Sequence, residues 1–172
     1  MLRLIGCVMV FGSCAALGLS ARQELRRRIA AADAWLTALG ILHSEIACRR
    51  TPLPDIADQL AENDDVVIRL VFTSLSRRLR EESGLPFGSI WRACLRDSCA
   101  RTGLGAEECR SLCQAAQYLG RYDAAEQLAG LEQTAQRLKA ARAAAEERLR
   151  SRGGLYRTCG IAAGLLVILA LL

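Results

Sequence analysis

Two uncharged stretches at the ends of the chain restrict what it can fold into. Residues 4–19 contain no charged side chain, and neither do residues 160–172. A helix needs roughly 20 apolar residues to cross the hydrocarbon core of a bilayer. The stretches reach this length if they extend over residues 1–20 and 153–172. We therefore predict a transmembrane helix at each end, with residues 21–152 forming one domain between them.

Arginines lie on the inner flank of both apolar stretches. Segments rich in Lys and Arg stay on the cytoplasmic side of a membrane, so the domain of residues 21–152 is expected in the cytoplasm and the chain is anchored at both ends. The arginines that support this orientation are Arg22, Arg26, Arg27 and Arg28 after the first stretch, and Arg148, Arg150, Arg152 and Arg157 around the start of the second.

The first stretch also fits a cleaved signal peptide. Arg3 precedes an apolar core, and small residues follow near positions 15–21, as in segments that are removed after secretion. In that case one anchor would remain. The sequence leaves open whether residues 1–20 are retained.

The charge pattern argues against a nucleic-acid-binding domain. The chain has 23 Lys and Arg against 18 Asp and Glu, a formal net charge of +5. All the acids and all the bases except Arg3 and Arg157 lie in residues 21–152, where the two signs alternate along the chain. A binder of nucleic acid would show clustered bases with interleaved aromatic residues. The basic excess instead suits contact with the headgroups of a lipid bilayer.

Apolar spacing in the middle domain is helical almost throughout. Leu25, Ile29, Leu36, Leu39 and Ile46 fall on one stripe of a 3.6-residue helix. This stripe predicts a first helix that runs from the membrane to about residue 47.

Breakers and caps divide the rest into further helices. Thr51, as an N-cap before Pro52, begins a short helix, and residues 66–80 keep helical spacing although many are β-branched. One further helix carries Trp91. The next spans residues 106–119 and is ended by Gly120. Asp123 with Glu126 forms a capping-box pattern for the last helix. The predicted fold is all-α, a bundle of about six helices flanked by an N-terminal and a C-terminal transmembrane helix.

Motifs for enzymatic chemistry are not found in the sequence. There is no Gly-rich loop ending in Gly-Lys-Ser/Thr, His43 is the single histidine, and the adjacent acids Glu107 and Glu108 are interpreted as a solvated helix face. The sequence therefore predicts no catalytic residue and no cofactor.

Four cysteines of the middle domain need separate treatment. Cys94, Cys99, Cys109 and Cys113 are spaced differently from the paired knuckles of common zinc folds. We therefore predict no metal site, and a cytoplasmic location disfavours a structural disulfide. An alternative is a thiol-dependent or zinc-dependent enzyme, which would need a metal or a reactive thiol among these four residues.

Three segments resemble the stage III sporulation protein AB family of endospore-forming bacteria. The similar segments are residues 36–53, 119–127 and 159–172, and the N-terminal residues 1–6 and Trp91 also match. The resemblance covers essentially the whole chain, both membrane anchors included. At Cys48-Arg49 the chain departs from the family, which often has an aromatic residue and a glycine before Thr-Pro-Leu.

The resemblance implies a non-enzymatic membrane protein with two spans, placed in the outer forespore membrane on the mother-cell side with its soluble domain in the cytoplasm. Other stage III membrane proteins would build with it a channel, or feeding tube, between mother cell and forespore. The family is similar to the F-type platform proteins of type II secretion and type IV pilus systems. By that analogy it would dock a secretion-type ATPase, the AA member of the stage III set. A self-assembling structural homo-oligomer without an ATPase partner is the alternative.

If docking is the function, the turns furthest from the membrane are the expected contact surface. These turns are residues 51–55, 83–88 and 120–127. Capping would also account for Thr51 and Asp123 without any partner. The predicted docking residues are Arg49, Arg50, Thr51, Leu53, Trp91, Arg121, Asp123 and Gln127.

Overall fold

The structure is a computed structural model of the whole chain. It describes the backbone of residues 2–82, 84–120 and 123–171, and the side chains of residues 20, 22–82, 84–120 and 123–151. The predicted spans, residues 1–20 and 153–172, therefore lie outside the described side chains apart from residue 20. Within the described part, no helix combines the length and the apolar character that crossing a bilayer requires.

The described chain is all-helical, which confirms the predicted helical bundle. Four short helices lie between two long ones in the sequence, and consecutive helices from α2 to α6 pack against each other. The long helices α1 and α6 pack along each other. In chain order the elements are α1 (Leu2–Ser44), a π-helical turn (Glu45–Arg49), α2 (Leu53–Ala61), α3 (Val66–Glu81), α4 (Phe87–Thr102), α5 (Ala106–Ala115) and α6 (Ala124–Leu171).

Helix α3 forms despite its β-branched residues because its first turn is capped and one face is apolar. The side chain of Asp65 accepts hydrogen bonds from the N–H groups of Val67, at 2.8 Å, and Ile68, at 3.2 Å. This satisfies two of the donors that a helix leaves free at its start. Ile68, Val71, Phe72 and Leu75 are buried on the opposite face to the charged residues. The helix predicted for residues 66–80 is therefore confirmed.

An aromatic cluster joins three helices at the centre of the core. The rings of Trp35 on α1, Phe72 on α3 and Trp91 on α4 lie 5.7 to 6.1 Å apart between centroids. Phe87, at the start of α4, stacks on Trp91 at 6.0 Å. Edge-to-face pairs of this kind contribute about 0.5 to 1.5 kcal/mol each beyond their burial. The cluster fixes how α1, α3 and α4 pack.

The bundle has two ends of different construction. At one end, which we call the tied end, Arg27 and Arg28 of α1 lie against the α4–α5 turn at residues 103–105. A Cβ built on Gly103 would be 3.7 Å from the Cβ of Arg27. At the other, the pocket end, a Cβ built on Gly120 would be 3.0 Å from the Cβ of Phe87 and 3.6 Å from the Cδ1 of Leu53. The starts of α2 and α4 and the turn before α6 therefore meet at the pocket end.

The tied end corrects two sequence-based expectations. Glu108, interpreted as solvated, is fully buried and forms a bidentate ion pair with Arg28 at 2.6 and 2.8 Å. Cys99 and Cys109 form a disulfide, with their Cα atoms 6.2 Å apart. The sharp α4–α5 turn brings these two cysteines side by side, which spacing along the chain does not show. The sequence-based expectation of no disulfide rested on the predicted cytoplasmic location and took no account of this geometry.

Candidate functional site

The pocket end begins where α1 changes its winding. The last five helical residues, Glu45–Arg49, form a π-helical turn, and the chain then reverses through Arg50 with φ 54° and ψ 33°. The N–H of Arg50 and that of Thr51 both donate to the carbonyl of Glu45. A residue in the left-handed conformation is a common way to end a helix, although glycine usually fills it. This turn directs the chain across the end of the bundle into α2.

A buried carboxylate organises the same turn. Glu45 is only 8% exposed, and its side chain accepts from Arg49 Nη1 at 3.0 Å and from the Thr51 hydroxyl at 2.8 Å. Thr51 therefore does not cap α2 as the sequence predicted. Pro52 occupies the N-cap position and makes no side-chain hydrogen bond there. The hydroxyl of Thr51 is taken by Glu45 because the tight reversal at Arg50 brings the two side chains together.

A pocket of about 420 Å³ opens beside Arg50. Its lining combines apolar side chains with polar groups and includes the start of α6, where Asp123 Oδ1 accepts from the N–H of Ala124 at 2.7 Å. We call it the Arg50 pocket. It is lined by Ile46, Arg50, Thr51, Pro52, Leu53, Asp123, Ala124 and Gln127.

An apolar groove of about 380 Å³ adjoins the Arg50 pocket, and Leu53 lines both. We call it the Leu85 groove, because Leu85 on its rim is 55% exposed. Exposed apolar residues gathered next to a pocket mark interaction surfaces more often than singly scattered ones do. The lining of the groove is Leu53, Pro54, Leu79, Glu82, Leu85, Phe87, Ile90 and Gly120.

The structure brings most of the predicted docking residues together. Five of the eight line the Arg50 pocket, namely Arg50, Thr51, Leu53, Asp123 and Gln127. Arg49 is exposed next to them and pairs with Glu45. Arg121 lies outside the described residues.

Trp91 was predicted as a docking residue, and the structure corrects this prediction. Its side chain is 1% exposed, and its indole N–H donates to the carbonyl of Leu112 at 2.9 Å inside the core. Its match to the family drew attention to it, but it belongs to the aromatic cluster. Its ring stacks on that of Phe87, which lines the Leu85 groove.

Sequence reasoning selected the turn of residues 83–88 but no groove residue within it. Leu85 and Phe87 flank Pro86, so an apolar residue stands on each side of a helix-starting proline. That pattern could have indicated an exposed apolar rim. Glu45 was missed because an acid near a helix end looks solvated in sequence, and only the reversal at Arg50 buries it.

The cysteines of the middle domain do not assemble as a four-thiolate cluster. Cys99 and Cys109 bind each other, and burial raises the pKa of the Cys94 and Cys113 thiols. A nucleophilic cysteine needs the opposite shift. Over the described side chains, no three His, Cys, Asp or Glu residues lie close enough to share a metal ion.

Over the described residues, the fold is an all-α bundle of two long and four short helices, with a surface built from interhelical turns at one end. The family model described as stage III sporulation protein AB matches residues 3–172. The chain therefore belongs to the stage III sporulation protein AB family, and its role lies in sporulation.

A solved structure agrees with this assignment. The chain is similar to one described as "Stage III sporulation protein AB (SpoIIIAB)", with 26% sequence identity and a TM-score of 0.61. The similarity covers 72% of this chain and 97% of the solved one. Curated proteins, by contrast, gave no match.

Proposed function

We propose that this protein is a non-enzymatic membrane platform of the stage III channel complex, and that its pocket end docks the cytoplasmic secretion-type ATPase of the same set, the AA member. The observation that carries the proposal is the convergence of three turns on one surface. The Arg50 pocket and the Leu85 groove are contiguous through Leu53. Together they offer an exposed apolar rim beside a cationic residue, which suits the binding of a protein segment.

The direction of the two long helices supports the proposed membrane placement. Helices α1 and α6 lie side by side in opposite directions. Asp33 pairs with Arg142, whereas Ile46, just after α1, lines the same pocket as Ala124 at the start of α6. The start of α1 and the end of α6 therefore leave the bundle at one end, as two anchors in one membrane require. The pocket end is then turned away from the lipid. The domain would stand in the mother-cell cytoplasm on the outer forespore membrane, with residues 1–20 and 153–172 as the anchors.

Docking of an ATPase needs no reactive group on the platform. Each apolar side chain that the partner covers contributes roughly 25 cal/mol per Å² of surface removed from water. The aromatic cluster behind the groove holds Phe87 in place through its stacking on Trp91. A preorganised surface loses less conformational entropy on binding. The platform would thus couple the motor to the membrane through a rigid end surface.

Two exposed apolar residues allow a matched test. Leu85, on the groove, is 55% exposed, and Val66, at the start of α3, is 64% exposed. The full-length protein with either Leu85→Asp or Val66→Asp would be expressed in sporulating cells and crosslinked, and the recovered ATPase would be quantified by mass spectrometry. We expect Leu85→Asp to remove most of the ATPase and Val66→Asp to leave recovery unchanged.

Three other results would contradict the docking proposal or its location. Failure of the unchanged protein to recover the ATPase would overturn the docking role, and crosslinks only between copies of this chain would replace it by self-assembly. Equal recovery with Leu85→Asp and with the unchanged protein would show that the ATPase binds elsewhere on the domain.

A further inference from the structure

Arg50 has a backbone conformation that its side chain makes unfavourable. Within the described residues it is the one non-glycine residue with positive φ, at 54°. In this region the Cβ atom of an L-residue crowds the following carbonyl oxygen, so glycine or asparagine is normally found. Strained residues that a fold retains are often functional. The position therefore raises the question of what the arginine side chain provides.

The guanidinium of Arg50 is exposed and, within the described part of the chain, makes neither a hydrogen bond nor an ion pair. The acids around it are engaged elsewhere. Glu45 accepts from Arg49 and Thr51, and Asp123 accepts from the backbone N–H of Ala124. Arg50 therefore leaves a positive charge available in a pocket of mixed lining, where the apolar side chains of Ile46 and Leu53 lie beside polar groups.

We propose that Arg50 binds a carboxylate of an acidic peptide segment, and that an apolar side chain next to this carboxylate occupies the Leu85 groove. The proposal rests on the docking function of the pocket end and states the chemistry of the partner segment. A guanidinium offers a planar fork of donors that matches a carboxylate, and a lysine does not. Leu53, which lines both cavities, makes the two contacts adjacent.

Because the backbone at Arg50 is strained, one substitution can test its effect on stability and its effect on binding separately. Arg50→Gly relieves the positive φ and should raise the melting temperature of the protein. The same substitution removes the charge and should weaken binding about tenfold or more, because a hydrogen bond to a charged group is lost. A purely structural Arg50 predicts the gain in melting temperature without any loss of binding.

The test uses the full-length protein in sporulating cells. A photo-crosslinking amino acid replaces Pro54, which lines the Leu85 groove, and the crosslinked peptide is sequenced by mass spectrometry. We expect a segment with Asp or Glu beside an apolar residue. Arg50→Gly should reduce the yield about tenfold, whereas Arg101→Ala, which removes an exposed cation near the tied end, should not. Arg50→Glu should abolish the crosslink, and an Asp→Arg or Glu→Arg change in the partner segment should restore it.

The outcomes separate this inference from the docking function. If the ATPase is captured but the yield is insensitive to Arg50, the docking role stands and the inference is wrong. If the acidic segment comes from another protein and the charge exchange restores the crosslink, the inference stands and the ATPase is not the partner. A crosslinked segment without a carboxylate, crosslinks to lipid only, or no crosslink at all would overturn the inference.

Discussion

The two ends of the bundle are stabilised by different kinds of interaction. At the tied end, the ion pair between Arg28 and Glu108 includes a carboxylate with no exposed surface, and a disulfide joins α4 to α5. At the pocket end, the buried carboxylate of Glu45 pairs with Arg49, whose side chain is 72% exposed. The nearby pair of Arg80 and Asp58 is exposed on both sides, at 72% and 44%. The pocket end also carries the exposed Leu85, next to two cavities.

This difference indicates which end is structural and which end is available to a partner. At the tied end, a buried ion pair holds α1 against α5, and a covalent bond joins α4 to α5. Surface ion pairs contribute only about 0 to 1 kcal/mol, so α2 and α3 depend mainly on their apolar faces. Stabilising features are therefore concentrated where the long helices leave the bundle, and the opposite end keeps its apolar and cationic groups exposed.

The largest expected effect is the loss of the buried ion pair. Arg28→Met would leave the carboxylate of Glu108 buried and unpaired, and such a change costs about 3 to 5 kcal/mol. Glu108→Gln should cost less, because the side chain of Arg28 is 25% exposed and can reach water. Thermal unfolding of the purified chain, followed by circular dichroism, measures both. Arg26→Met, at an exposed position of the same helix, is the matched control. Equal stability of the Arg28→Met and Arg26→Met variants would contradict the tied end as described.

Reduction of the disulfide should give the next largest effect. The bond between Cys99 and Cys109 closes a short loop around the α4–α5 turn, and a loop of this size is expected to contribute about 3 kcal/mol. The melting temperature should fall when dithiothreitol is added. A Cys99→Ser/Cys109→Ser variant should begin at the lower temperature and no longer respond to the reductant. If that variant still responds, another cysteine pair carries the effect.

A third prediction compares two helical glycines. A Cβ on Gly88, at the start of α4, would collide with the carbonyl oxygen of Ala116 and lie 3.2 Å from its carbonyl carbon. Backbone atoms are unable to move aside easily, so Gly88→Ala should destabilise the fold by about 1 to 3 kcal/mol. Gly40, within α1, has no atom within 4 Å of a built Cβ, and Gly40→Ala should stabilise by up to about 1 kcal/mol. Urea unfolding would show opposite shifts. A Gly88→Ala variant as stable as the unchanged protein would mean that the pocket end tolerates repacking at α4.

The sequence predicted the fold well where one physical signal dominates. Helical spacing and the charged off-stripe residues identified α3 in spite of its β-branched residues. Gly120 has the expected left-handed conformation, with φ 78°, but α5 already ends at Ala115 and Gly120 lies in the turn that follows. These features depend on local geometry and on one apolar face. They are therefore visible in a short stretch of sequence.

The candidate site was predicted in part, and its errors come from long-range contacts. The grouping of turns at one end follows from alternating helix directions, so five docking candidates line one pocket. Thr51 and Glu108 were misinterpreted because their partners, Glu45 and Arg28, depend on a chain reversal and on packing between distant helices. Trp91 was misplaced because a similarity to a family does not distinguish a core residue from a surface one.

The smallest effect concerns the exposed contacts between α2 and α3. A hydrogen bond from Ser76, and then one from Arg80, lowers the pKa of the Asp58 carboxyl below its usual 3.8. Its contribution to stability is therefore fully present above pH about 4 to 5 and is lost as the pH falls through the lower folded-state pKa. Because Asp58 is 44% exposed, solvent screening keeps this contribution below about 1 kcal/mol.

Asp58→Asn should be slightly less stable than the unchanged protein at neutral pH, and the difference should vanish in strong acid. Ser76→Ala should reduce the pH dependence more than Arg80→Met, since the Ser76 hydrogen bond has the larger influence on the pKa. A constant difference from pH 7 down to pH 2 would show that Asp58 acts through packing and not through its charge. The surface contact would then differ from the buried pair of Arg28 and Glu108 in kind as well as in strength.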